Sequence, residues 1–215
     1  MLDVARHFFG VGDVCRLIDH IAAYKLNVLH LHLSDDQGWR LAIDSWPRLA
    51  EIGGGGAVGG GAGGFCTQND YRAIVRHGGD RFVTVVPEID APGHVHAALC
   101  AHPELAGGRA AEPYTGIEVG FSSLDAHSEL TYRFLDDVFG ELAALTPGAF
   151  VPIGGDEALP EHGQPARSCP GTFGGAAGRA ADHVARRPGL PRHEVRPGHA
   201  AGPGLGWARR VARQL

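Results

Sequence analysis

The chain has 215 residues, with 19 Lys and Arg against 24 Asp and Glu and a formal net charge of −5. That length can bury one sizeable core, and the mild acidity leaves neither a basic stripe for nucleic acid nor an acidic run typical of disordered tails. No apolar run approaches a membrane span, so neither nucleic acid nor membrane is an expected partner.

Residues 1–6 lack the charged start and apolar core of a signal peptide, which leaves localisation open. Cys15, Cys66, Cys100 and Cys169 show neither metal-ligand nor disulfide-scaffold spacing. Residues 2–5 form a short apolar run that ends at Arg6 and reads as a strand. Asp13 is placed to cap a helix whose apolar positions Val14, Leu17, Ile18, Ile21 and Ala22 recur at helical spacing. Residues 28–33 alternate as a strand does and end at Ser34-Asp35-Asp36. Leu29, Leu31 and Leu33 take one face of it, and Val28, His30 and His32 the other. A long loop follows through Trp39, Trp46 and a glycine-rich block at 53–64. Residues 70–77 read as a second helix, and 82–86 as a third strand ending in Pro87-Glu88-Ile89-Asp90. A loop then carries Pro92-Gly93-His94. Residues 128–145 make a long amphipathic helix with Leu130, Phe134, Leu135, Val138, Phe139 and Leu142 facing inward. The last strand, Val151-Pro152-Ile153, breaks at Gly154-Gly155 and presents Asp156-Glu157. Strands and helices alternating in this rhythm predict an α/β fold with parallel strands.

Charged residues gather just past each strand: Arg6, then Asp35 with Asp36, then Glu88 with Asp90, then Asp156 with Glu157. In a (β/α)8 TIM barrel, the C-terminal strand ends carry the active site. Adjacent residues on a regular strand point to opposite faces, but past a strand end both carboxylates can lean into one pocket, where they suit acid/base work on a polar substrate. A structural reading stays open for single members: Asp36 or Asp90 capping a loop or pairing with an arginine, and Asp156-Glu157 as a solvated turn.

These residues resemble the catalytic domain of family 20 glycoside hydrolases, the β-N-acetylhexosaminidases. The resemblance rests on Leu2-Asp3-Val4-Ala5-Arg6-His7-Phe8, on Leu29-His30-Leu31-His32-Leu33-Ser34-Asp35-Asp36-Gln37-Gly38-Trp39-Arg40, and on Val85-Val86-Pro87-Glu88-Ile89-Asp90-Ala91-Pro92-Gly93-His94. Gly116-Ile117-Glu118-Val119-Gly120, Ile153-Gly154-Gly155-Asp156-Glu157 and the glycine-rich block complete it, in the family's order and over residues 1–160. It implies about the first four strand–helix units of a TIM barrel. It also implies a retaining, substrate-assisted removal of terminal β-linked N-acetylglucosamine or N-acetylgalactosamine, without a cofactor or metal. The family stands apart from the two-carboxylate template of most glycosidases. The nucleophile is the carbonyl oxygen of the substrate's own acetamido group. Glu157 matches the general acid/base, and Asp156 the residue that orients the acetamido N–H. Asp35 matches an aspartate paired with the catalytic machinery, with Asp36 its neighbour, and His94 matches a histidine near the acid/base pair. Carboxylates close to Glu157 would raise its pKa, which suits an acid that is protonated near neutral pH. Arg6 and Glu88 order the pocket floor or form a structural ion pair. Trp39 and Trp46 are candidates for stacking on sugar, with core packing the favoured role for Trp46, before Pro47.

The resemblance has departures. The family's sugar-gripping arginine precedes the first strand, and this chain starts too late to hold it. Pro152 stands where the family usually has a histidine. Four further strands, with tryptophans and a tyrosine around the acetamido pocket, have no counterpart in 161–215. That stretch is rich in Arg, Ala, Gly, Pro and His without helical or strand periodicity. It is expected to form an irregular tail, either a shifted reading frame of a GC-rich gene or a disordered segment. Two other functional readings stand beside the glycosidase. One is a metal-dependent hydrolase using His30 and His32 with Asp35, Asp90, His94, His96 and Asp156. The other is an inactive fragment that keeps only the ancestry.

Overall fold

The computed structural model describes residues 1–108, 111–118, 121–125, 127–148, 150–155 and 184–186. The first strand, β1 (Leu2–Asp3), ends early because the Asp3 carboxylate turns the chain. Its Oδ1 accepts from the amides of Ala5 and Arg6, both at 2.9 Å. Helix α1 (Val11–Ala23) starts from Gly10 without a side-chain cap. Asp13 therefore sits in the first turn, where its charge favours the helix dipole, rather than at the cap the sequence predicts.

Strand β2 (Val28–His32) lies between β1 and β5 (Thr84–Glu88), parallel to both. Leu29, Leu31 and Leu33 are all buried, as the alternation predicts. Gly78 of the following helix lies against Val85 on that apolar side, so the opposite face, with His30, Val86 and Glu88, is only partly covered. The register sets His32 opposite Glu88. Strand β5 begins two residues later than expected. Phe82 has φ 59° and is 90% exposed, which excludes it from a ladder. Pro87 has no amide to give, and strand β6 (Phe150–Pro152) joins only beyond it. Ile89 N reaches Pro152 O at 3.4 Å and Ala91 N reaches Ile153 O at 2.9 Å.

The expected long loop after β2 carries structure of its own. Strands β3 (Ser34–Asp35) and β4 (Gly38–Trp39) pair antiparallel, and a short helix α2 (Arg48–Glu51) follows. Two 3-10 turns, Gly53–Gly55 and Val58–Gly60, occupy the glycine-rich block. Arg40 organises it from within. Its Nε donates to Val4 O, Nη1 to Gly54 O and Gly64 O, and Nη2 to Ala5 O and Gly56 O, over 2.6–3.0 Å. The side chain is fully buried, and burial lowers its pKa to about 10. A Cβ at residue 38 would collide with this guanidinium, which explains the glycine there.

Helix α3 (Gln68–Gly79) opens two residues before the expected start because Thr67 and Asp70 form a capping box. Helix α4 (His96–Ala101) and the 3-10 turn Pro103–Ala106 were not anticipated from the pattern. Helix α5 (Glu129–Leu145) is capped by Ser128 and buries Phe134, Leu135, Val138, Phe139 and Leu142 as predicted. Leu130 is only partly buried against the core. Strand β7 (Val184–Arg186) pairs antiparallel with β6, in a stretch to which the sequence assigns no element. The rest of the predicted tail at 161–215 lies outside the described residues. Among those described, no helix is long and apolar enough to cross a membrane.

Candidate active site

The C-terminal ends of β1, β2 and β5 meet in one chain of charges. After β1, Arg6 bonds Asp3 Oδ2 at 2.9 Å and reaches Asp35 Oδ2 at 2.8 Å. On the other side of Asp35, His32 Nε2 contacts the same Oδ2 at 2.8 Å. The second ring nitrogen, Nδ1, contacts Glu88 Oε2 at 2.6 Å, and His30 Nε2 contacts that oxygen at 2.8 Å. Arg6 Nη1 also comes within 3.3 Å of His32 Nε2. Each of the two makes a shorter contact with Asp35 Oδ2, at 2.8 Å.

Burial opposes ionisation of Asp35, but hydrogen bonds from His32 and His94, the Asp36 amide and the Arg6 charge hold its carboxyl far below the usual range. Burial likewise works against a charged His32. Hydrogen bonds to Asp35 and Glu88, with their negative charges, outweigh it and push the ring up to about 10. Glu88 is held down to about 2 against its own burial by His30 and His32.

A second group adjoins the first. His94, buried and at φ 54°, turns Nδ1 toward Asp35 Oδ1 at 3.5 Å and Asp36 Oδ2 at 3.7 Å. These carboxylates push its ring up to about 10. Asp36 is pinned by its Oδ1, which accepts from the His96 amide at 3.1 Å and from the Ser122 hydroxyl. The Asp90 amide donates to Ser34 Oγ at 3.0 Å, and the Asp90 Oδ1 accepts from the Gly155 amide at 3.4 Å. Gly154 and Gly155 have φ of 65° and 94°. A Cβ at 154 would strike the Asp90 carboxylate, so glycine is required where the chain turns toward Asp156. Asp156 and Glu157 themselves lie outside the described residues, as do Val119 and Gly120.

Of the predicted site residues, Arg6, Asp35, Asp36, His94 and Glu88 thus belong to one contiguous network. Trp39 does not present a stacking face. It is 1% exposed, tilts against Phe134 at 6.1 Å between ring centroids, and donates Nε1 to Leu41 O at 2.6 Å. Trp46, partly buried, packs edge-on to Phe134 at the margin of the core. Oxygen and nitrogen donors do converge in two groups, His32 with Asp35 and Asp90, and Asp35 with Asp36 and His94. His30 and His32, however, both turn to Glu88 rather than toward a shared cation, and His32 commits both nitrogens to carboxylates. His96 points its Nε2 at Glu112 O, 2.7 Å away. The expected His30/His32 ligand pair therefore converges on the Glu88 carboxylate in this fold. Sequence reasoning missed the partnership of His32 with Glu88. No local sequence signal marks it, because it follows from the parallel register that sets 28–32 opposite 84–88. Ser34, Ser122 and Arg40 were also missed as supports, and no local pattern marks them.

Parallel strands whose C-terminal ends gather carboxylates, imidazoles and an arginine fit a fold of the TIM-barrel type. The model of the glycosyl hydrolase family 20 catalytic domain matches residues 1–172, and the chain belongs to that family. It is 54% identical to a beta-N-acetylhexosaminidase of Cellulomonas fimi, covering 74% of this chain and 32% of that protein. A beta-hexosaminidase of Porphyromonas gingivalis is 45% identical, over 73% of this chain and 21% of its own length. Among solved structures, the Streptomyces plicatus N-acetyl-beta-hexosaminidase complexed with Thio-NAglucal superposes with a TM-score of 0.72 at 62% identity. That match covers 74% of this chain and 32% of the other. The chain spans a third or less of the length of these relatives.

Proposed function

We propose that residues 1–160 supply the first four strand–helix units of a family 20 barrel, with 161–215 as an irregular tail. On this reading, the enzyme removes terminal β-linked N-acetylhexosamine with retention of configuration. The observation that carries it is the network Arg6–Asp35–His32–Glu88 at the ends of three parallel strands, with His94 against Asp35. The turn at Gly154-Gly155, held on Asp90, leads straight into Asp156-Glu157. A solved Streptomyces plicatus relative is described in complex with the product GlcNAc, which supports the same sugar class here.

The acetamido oxygen of the substrate attacks the anomeric carbon and forms an oxazolinium ring while the glycosidic bond breaks. Glu157 gives its proton to the leaving oxygen, then takes one from the water that opens the ring. Asp156 orients the acetamido N–H and offsets its growing positive charge. No protein carboxylate need reach the far face of the sugar, so two adjacent acids suffice. Asp35 and His94 form a polar wall at the strand ends, Asp36 anchors that wall through His96 and Ser122, and Arg6 and Glu88 brace it.

The test is hydrolysis of N-acetylglucosaminides with poor leaving groups by the purified, folded chain. Glu157→Gln should lose about 10²–10⁴-fold in rate, the usual worth of general acid catalysis. A chelator should leave the unmodified chain unaffected. Unchanged activity in Glu157→Gln removes that residue from the acid role, and loss on chelation restored by zinc or manganese transfers the site to a metal hydrolase. A folded chain that turns over nothing is the inactive fragment.

A further inference from the structure

We propose that His32 is a positioning residue, a doubly protonated imidazole ring bridging Asp35 and Glu88 so that Asp35 is held facing His94. This rests on the family 20 reading above for its consequence, though not for its geometry. Two carboxylate oxygens flank the ring, one at 2.6 Å on Nδ1 and one at 2.8 Å on Nε2. A neutral ring has one N–H and leaves one lone pair against an oxygen. The carboxylates are not the source of the missing proton. Asp35 already accepts from the Asp36 amide at 2.6 Å and pairs with Arg6, and Glu88 also meets His30. The groups facing the ring account for its charge: Asp35, Glu88 and Asp90 are acidic, Arg6 is basic, and His30 sits behind Glu88.

The bridge does something that Arg6 alone does not. Arg6 is about a third exposed, a soft anchor, whereas the His32 side chain is 5% exposed and fixed between two strands. Through it, the register of β2 on β5 sets where Asp35 stands. A side chain so enclosed acts through Asp35 rather than on a sugar. Its loss should therefore reduce turnover and leave substrate binding nearly unchanged.

Long-range proton–nitrogen spectra of the nitrogen-labelled chain read this directly, with His32→Gln assigning the signal. His32 should show two protonated ring nitrogens from about pH 6 to about pH 8.5, across which an ordinary histidine loses its charge. A neutral tautomer in that range overturns the proposal. In the same series, His32→Gln should lower kcat by about tenfold with KM held, a coupling of ordinary size between touching residues. A folded His32→Gln with unchanged kcat also overturns it. Should that variant not fold, Glu88→Gln removes one flank alone and should let His32 lose its second proton at lower pH, and an unmoved titration counts against the bridge. The two readings separate cleanly. A charged His32 in a chain without turnover defeats the enzymatic reading and leaves the bridge, while turnover with a neutral His32 does the reverse.

Discussion

His32, Asp35 and Glu88 keep their charges inside the fold because each supplies what the others need, and this sets a pH signature. The His32 ring, at about 10 against an ordinary 6.5, contributes its full stabilisation below pH 6.5, loses it steadily above that, and contributes nothing beyond about 10. Glu88, at about 2 against an ordinary 4.5, contributes fully above pH 4.5 and loses its share as pH falls toward 2. Both describe one interaction seen from its two ends, so they are not summed. Thermal midpoints should be highest between pH 4.5 and 6.5 and decline on both sides, by calorimetry of the whole chain. A midpoint that rises between pH 7 and 9 would contradict the assigned charges. At this scale, the sequence makes the reactive types and their order visible: Asp35 and Asp36 after one strand, Glu88 and Asp90 after the next. It does not reveal that His32 belongs with Glu88 rather than with His30, because that depends on register between segments more than fifty residues apart.

Elements were legible where one periodicity ruled. The leucine face of β2 and the inward stripe of α5 follow from alternation and helical spacing, since burial of those faces decides the structure. The long segment after β2 was opaque because a single buried cation shapes it. Arg40 ties the ends of β1 to both sides of the glycine-rich block, and periodicity carries no trace of five carbonyls converging on one side chain. Trp39 was misread for a related reason, since an aromatic beside acidic residues looks alike in sequence whether it lines a pocket or the core. Arg40→Met should cost at least about 3 kcal/mol by denaturant unfolding, given about 1–3 kcal/mol for each buried polar group left unpaired. A loss below about 1 kcal/mol would mean that the block holds itself without the guanidinium.

For the molecule as a whole, the parallel order β1, β2, β5 and the continuation to β6 gather the network onto one rim of a chain that belongs to family 20. The class of fold was readable from alternating strands and helices. The antiparallel pairing of β7 with β6 was not, because 161–215 carries no periodicity to read. In the proposed function, the substrate brings its own nucleophile, and Asp156 and Glu157 assist it. The most direct measurement compares hydrolysis, by the purified chain, of 4-nitrophenyl N-acetyl-β-glucosaminide with that of 4-nitrophenyl β-glucoside, which lacks the acetamido group. Turnover of the first and none detectable of the second is expected. Comparable rates on both would show that a protein group, not the acetamido oxygen, attacks the sugar.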